Sequence, residues 1–135
     1  MKRDMDLIRL MLLRTESAGI DKEAADKYHA ECEKYPEPVR AHQIAIMIEA
    51  GLIVGVTSSS PESGGLPVRG IIGRLTWQGH EFLDAARDET TWKKVRDKVM
   101  KPAASFTFGI LVEALKIEIK TRIGMLTGHH EIAAD

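Results

Sequence analysis

The chain has 135 residues, a length that favours one domain over two. Hydrophobic residues make up 44% of it and charged residues 29%, a composition that excludes an intrinsically disordered chain. The formal net charge is −1, so no overall positive charge favours binding to nucleic acid.

The apolar stretches and the cysteine content bear on location. The longest apolar stretch, Phe106 to Ile119, is interrupted by charged residues, so we expect no membrane-spanning segment. The N-terminal apolar run contains Arg9 and is too short for the core of a secretory leader. Cys32 is the only cysteine, which excludes an internal disulfide and is typical of a reducing compartment. We therefore expect a cytoplasmic protein.

Apolar spacing and capping residues predict three helices at the start of the chain. The first has a buried stripe at i, i+1, i+4 and i+5, and the second opens on an aspartate cap and an acidic first turn. The third ends before Gly51, where a left-handed C-cap is expected. Two prolines, Pro36 and Pro38, separate the second helix from the third. The predicted bounds are Asp4 to Glu16, Asp21 to Lys34 and Val39 to Ala50.

The rest of the chain predicts a β-hairpin and three further helices. The strands are Leu52 to Val56 and Val68 to Thr76, joined by a flexible loop rich in serine, glycine and proline. The helices are Trp77 to Ala86, Asp88 or Thr90 to about Met100, and Phe106 to about Ile123.

This order predicts a mainly α fold with a small β-hairpin, a winged helix-turn-helix followed by extra C-terminal helices. Residues 1–100 would form the winged-helix domain. Residues 101–135 would form a C-terminal helix and frayed tail, either within the same domain or as an oligomerisation element.

Three stretches together resemble a known family. They are MKRDMDLIR from Met1, IEAGLI from Ile48, and LTWQGHEFLD from Leu75, with Trp92 following. The chain resembles the phage, prophage and bacterial family called domain of unknown function 2513. The resemblance implies a winged-helix fold and a mobile-element origin, and brings no activity with it. Two departures lie in the helix-turn-helix: Gln43 replaces an expected histidine, and the acidic segment Asp21 to Lys34 is longer than expected.

Few side chains could hold a metal. His29 and Cys32 lie three residues apart on one helix, but no second pair stands at zinc-finger spacing. His129, His130 and Glu131 fall in the tail, where a solvated end is expected. We therefore predict no metal site.

Phosphate-binding and catalytic patterns are equally weak. Gly70 and Gly73 lie within a strand, where glycine relieves crowding or marks a bulge, and not in a phosphate loop before a helix. His80 and Glu81 have no nucleophile nearby in the sequence, and the loop serines have no activating histidine. Trp77 is predicted to pack on the hairpin with Phe82 and Leu83, and Trp92 on its own helix stripe with Val95 and Val99. We predict no enzyme and no cofactor.

The first functional hypothesis is duplex DNA binding by the third helix and the wing. The predicted buried stripe of that helix is Ile44, Met47, Ile48 and Gly51, and the opposite face is Val39, His42, Ile46 and Glu49. The candidate DNA contacts are Arg40, His42, Gln43, Arg69 and Arg74. This face carries one histidine and one acid, and the acidic second helix would repel phosphates, so DNA is not favoured.

The second hypothesis is protein binding, including self-association, and the sequence favours it. The last helix is apolar around much of its circumference, so it is either buried in its own domain or shared with a partner. The candidate protein contacts are Val39, His42, Ile46, Ile110, Val112, Leu115 and Ile119. We expect a homo-oligomer, and the family resemblance suggests a host or phage protein as partner.

Overall fold

The computed structural model describes residues 2–100 and 107–127. Their elements are α1 (Met5–Ser17), α2 (Lys22–Cys32), α3 (Glu37–Glu49), β1 (Ile53–Ser59), β2 (Pro67–Leu75), α4 (Trp77–Ala86), α5 (Glu89–Val95) and α6 (Phe108–Thr127). Three helices, an antiparallel hairpin and further helices make a mainly helical, winged-helix-like arrangement, which confirms the predicted fold class.

The chain divides into two compact units, Met1–Leu83 and Asp84–Asp135, with the boundary inside α4. The sequence had predicted a change near residue 100. In the first unit α1 packs against α2, α3 and β2, while α3 packs against both strands. No helix within residues 2–100 and 107–127 has the length and apolar character needed to span a membrane.

Local capping explains where α1 and α3 begin and end. Asp4 accepts a hydrogen bond from the backbone N–H of Leu7 at 3.1 Å and so caps α1. α3 starts at Glu37, two residues earlier than predicted. A proline is tolerated in the first turn of a helix, because the N–H that it lacks would have no partner within the helix there. At its other end Gly51 has the predicted positive φ of 75°, and the N–H of Leu52 donates to the carbonyl of Met47 at 2.9 Å.

β1 ends three residues later than predicted and β2 is shifted by one residue toward the N-terminus, and glycines shape the fit of both strands. Val54 pairs with Arg74 while Gly55 pairs with Ile72, so Gly73 is left over as a β-bulge. A Cβ added at Gly70 would lie 2.9 Å from the side chain of Ile44 on α3. The prediction that these glycines relieve crowding or mark a bulge is therefore confirmed.

α4 also approaches the hairpin through a glycine. A Cβ added at Gly79 would lie 2.0 Å from the carbonyl oxygen of Leu52, so no other residue fits there without a shift. Thr76 caps the helix by accepting a hydrogen bond from the N–H of Gly79 at 3.1 Å. Phe82 and Leu83 are buried on the same side as Gly79.

The second unit is built around α5 and α6. α5 is followed by a π-helical turn, Arg96–Met100, and both pack against α6. Trp92, Val95, Leu111 and Leu115 are buried. Glu118 is also buried, with its carboxylate 3.5 Å from Nζ of Lys94 and 3.9 Å from Nζ of Lys98.

Candidate interaction surfaces

The outward face of α3 carries no cation that is free to contact DNA. Its only arginine, Arg40, donates from Nε to the carbonyl of Tyr35 at 3.0 Å and from Nη1 to Glu33 at 3.1 Å. Arg40 therefore joins α3 to the end of α2. Pro38 and Glu49 are exposed on α3, and Val39, His42, Ala45, Ile46 and Ile48 are half-buried.

Gln43 is not a DNA-reading residue. It is fully buried, and its side-chain oxygen accepts a hydrogen bond from the N–H of Asp4 at 2.8 Å. Its amide nitrogen donates to the carbonyl of Lys2 at 2.9 Å. The reason for the correction is that the buried face of α3 includes Gln43 and Ala41, and leaves the predicted Ile48 half-buried.

The outer face of the wing combines apolar and basic side chains. Val56 and Ile71 are paired across the strands and are 65% and 69% exposed. Arg74 is paired with Val54 and Arg69 with Ser58, and all four are exposed, so the two arginines flank the apolar pair. Arg69 lies 4.0 Å from Glu37. Both predicted wing arginines are therefore accessible, but they share their face with aliphatic residues.

Trp77 is the principal feature that the sequence prediction missed. It is 77% exposed and does not pack on the hairpin. Gly79, Phe82, Leu83, Ala85 and Ala86 are buried on α4. The i, i+3, i+4, i+7 spacing of Gly79, Phe82, Leu83 and Ala86 puts Trp77 on the opposite side of the helix. The sequence predicts this stripe when Gly79 is counted as a buried packing position.

Trp77 lies at the end of a groove in the first unit. A cavity of about 670 Å³ is lined by Thr15, Glu16, Ala18, Ile20, Gly73, Arg74, Leu75, Thr76, Trp77 and His80. A second cavity of about 440 Å³ is lined by Arg14, Thr15, Ala18, Ala25, Asp26, His29, Ile72 and Gly73. Because Thr15, Ala18 and Gly73 line both, the two adjoin along β2.

In the second unit, α6 leaves part of its apolar surface uncovered. Ile110 and Ile117 are 54% and 62% exposed and lie seven residues apart on one stripe, and Ile123 is exposed on another side of the helix. Val112 and Ile119 are half-buried. Leu115, which was predicted to contact a partner, is instead fully buried. It lies on the same stripe as Leu111, and this stripe packs into the unit.

The remaining candidate metal-binding and reactive side chains do not lie together in one site. Cys32 is buried while His29 is exposed, with Nε2 3.7 Å from Glu33, so the two do not face one site. Burial raises the pKa of the Cys32 thiol, which keeps it protonated. Within residues 2–100 and 107–127 no group of three or more His, Cys, Asp or Glu side chains could hold a metal ion. The residues 129–131 lie outside the described part of the chain.

The comparison with known proteins agrees with the resemblance found in the sequence. Residues 2–105 match the family described as hypothetical protein, DUF2513. The chain belongs to this family. It is also similar to an uncharacterised protein of Haemophilus influenzae, with 30% identity over 128 residues that span 93% of this chain and 98% of that protein. No solved structure matches the chain.

Membership of the DUF2513 family directs attention to the first unit and to α5. The matched region contains the groove, the wing and Gln43, whereas α6 begins after it. The segment Leu75 to Asp84 is one of the three stretches that resemble the family. It contains Thr76, which caps α4, as well as Trp77 and Gly79. The family description carries no activity.

Proposed function

We propose that this protein acts without catalysis, by binding proteins: α6 pairs two copies, and the winged-helix-like unit offers its surface to a protein partner. The observation that carries the proposal is the exposure of Ile110 and Ile117 on α6, on a stripe beside the buried one formed by Leu111 and Leu115. Because the resemblance in the sequence implies a mobile-element origin, we expect the partner to be a host or phage protein.

The burial free energy that is lost when apolar side chains of α6 remain in water supports self-association. A large aliphatic side chain left in water forgoes about 1.5–3 kcal/mol relative to full burial. Ile110, Ala114, Ile117 and Thr121 follow i, i+4, i+7 and i+11, which is one continuous helical stripe. A two-fold axis across this stripe would place the same residues of both copies in contact, as a symmetric dimer requires.

The charges of the first unit support a protein partner over DNA. Specific DNA reading by a helix needs donors that reach base edges, and the one arginine of α3 is held by Tyr35 and Glu33. Arg69 and Arg74 could contact phosphates from the wing. The aliphatic residues between them, Val56 and Ile71, suit a protein surface and would gain little from a phosphate backbone.

Light scattering on the full chain tests self-association. We expect a dimer with a dissociation constant below about 100 µM, which corresponds to about −5.5 kcal/mol. The double variant Ile110→Lys, Ile117→Lys should be monomeric, because it puts two charges into the proposed interface. Val56→Lys, at an equally exposed aliphatic position on the wing, is the matched control and should remain dimeric. A monomeric wild type, or a double variant that still dimerises, contradicts the proposal.

Binding to a fluorescent random duplex at several salt concentrations tests the DNA alternative. We expect no binding at physiological salt. Binding whose affinity falls steeply with salt, and which Arg69→Ala and Arg74→Ala weaken, would show that the wing contacts phosphates. That result would favour a DNA-binding regulator over the proposed function.

A further inference from the structure

The groove beside β2 has two walls of different character. One wall is formed by the end of α1 and the turn into α2, including Thr15, Ala18 and Ile20. The other wall is the strand itself, from Ile72 to Leu75, with the bulge at Gly73. Gly73 is exposed and has no side chain, so the groove there is bounded by the strand backbone.

The edge of β2 that faces away from β1 is open. Within residues 2–100 and 107–127 the sheet has two strands, so β2 pairs on one side only. An antiparallel strand directs the N–H and C=O groups of alternate residues to each side, which leaves a row of main-chain donors and acceptors along an edge. The N–H groups of Ala18, Ile20 and Asp21 in the neighbouring turn do not pair with this row, since they donate to carbonyls of α1.

The charges around the groove favour neither an anion nor a cation. Arg14 and Arg74 line it, but so do Glu16 and Asp26, and Asp26 is paired with Lys22 at 2.7 Å. Such a mixed rim gives no net attraction to a nucleic acid backbone. The features that remain specific are the strand edge and the apolar side chains of Ile20, 85% exposed, and Trp77 at one end.

We propose that this groove accepts an extended segment of another protein, which adds as a third strand to β2 and places a large apolar side chain against Trp77 and Ile20. Main-chain hydrogen bonds to the open edge hold the segment, and the Trp77 end selects its sequence. A strand rises about 3.3 Å per residue, so the two adjoining cavities accommodate a short segment of a few residues. The inference rests on the proposed protein binding and names the class of partner, but it uses a surface distinct from α6.

Peptides selected from a displayed library of random dodecamers on the full-length protein test this inference. The enriched sequences are synthesised with a fluorescent label, and binding is measured by anisotropy. Trp77→Ala should weaken binding at least about tenfold, as expected for truncation of an aromatic side chain that anchors a partner. Leu66→Ala, at another exposed apolar residue of the first unit, is the matched control and should leave the affinity unchanged.

Two further measurements separate strand addition from a merely apolar contact. N-methylation of alternate peptide residues should abolish binding in one register and leave it nearly intact in the other, because only alternate N–H groups face β2. Ala18→Arg should block the groove, whereas Ala30→Arg, at an exposed residue of α2 that does not line it, should have no effect.

Several outcomes would overturn the inference. They are the absence of any enriched peptide, equal affinity for wild type and Trp77→Ala, and equal sensitivity to both N-methylation registers. If Ala18→Arg instead made the protein monomeric, the groove would hold a second copy of this chain. The Ile110→Lys, Ile117→Lys double variant should bind peptide as wild type does, so failure of the α6 dimer and failure of the groove are distinguishable.

Discussion

Gln43 ties the start of the chain to α3 through one buried amide. Its side chain accepts from the N–H of Asp4 and donates to the carbonyl of Lys2, so it satisfies two backbone groups just before α1. Asp4 in turn caps α1. The DUF2513 resemblance led us to expect a histidine here, and a neutral imidazole also offers one donor and one acceptor.

Gln43→Leu should destabilise the protein by about 1–3 kcal/mol, because it leaves both backbone groups without their partner. Gln43→His should cost less, since the imidazole can replace both hydrogen bonds. Urea unfolding measures both changes, with Glu49→Gln on the exposed end of α3 as a control expected within about 0.5 kcal/mol of wild type. Equal losses for the leucine and histidine variants would contradict this role for Gln43.

The exposure of Trp77 follows from the close packing of a small residue, Gly79, two positions later. Gly79 lets α4 approach the carbonyl of Leu52, and that approach determines which face of the helix is buried. Trp77 lies two residues away, about 200° around the helix, and is therefore left in solvent. An exposed tryptophan beside a groove is the kind of residue that dominates binding energy at protein interfaces.

At the scale of the element, α5 depends on its N-cap. Asp88 accepts from the N–H of Thr91 at 2.8 Å, and its carboxylate lies 3.1 Å from Nη1 of Arg122 on α6. The hydrogen bonds from Thr91 hold the pKa of Asp88 below its ordinary value of 3.8, with Arg122 contributing less. The folded state therefore favours the charged carboxylate.

Asp88→Ala should cost about 1 kcal/mol at neutral pH through loss of the cap, and Asp88→Asn less, because asparagine also caps helices. Since the folded pKa is lowered, the contribution of the charge is full above the unfolded pKa and is lost as the pH falls through the folded pKa. The stability difference between wild type and Asp88→Asn should therefore shrink on acidification. Thermal unfolding of both proteins at neutral and acidic pH measures it, and a difference that grows in acid would contradict this account.

At the scale of the whole molecule, the two units carry different candidate interfaces. The first holds the wing and the groove beside β2, and the second holds the partly uncovered α6. A protein with two such surfaces can pair with itself through one and bind a partner through the other. A dimer would then present two grooves, which raises the effective affinity for a partner with two binding segments.

The thermal midpoint of the full chain should rise with protein concentration, because association stabilises the folded state by mass action. We expect the thermal midpoint to rise by a few degrees when the protein concentration is increased about hundredfold. The Ile110→Lys, Ile117→Lys variant should show no such dependence, while Val56→Lys should behave as wild type. Differential scanning calorimetry measures this, and a concentration-independent midpoint in the wild type would argue against a folded dimer.

Signals between residues close in the chain are enough to predict the order and the type of the elements. Helix caps such as Asp21 and Asp88, the C-cap at Gly51 and the β-branched strands act between residues close in the chain, so their signals are local. The same local patterns predicted that α6 has more apolar residues than one buried stripe needs. They also supported the DUF2513 family, which the comparison confirmed.

Which faces of the elements are buried and which remain open depends on packing between distant parts of the chain. Whether Gln43 is accessible depends on the backbone of Lys2 and Asp4, and the groove exists only because Thr15 and Ala18 come beside Gly73. The exposure of Trp77 and the burial of Leu115 likewise follow from how their helices pack. Periodicity shows that a helix has an apolar side, but burial depends on what distant parts of the chain bring against it.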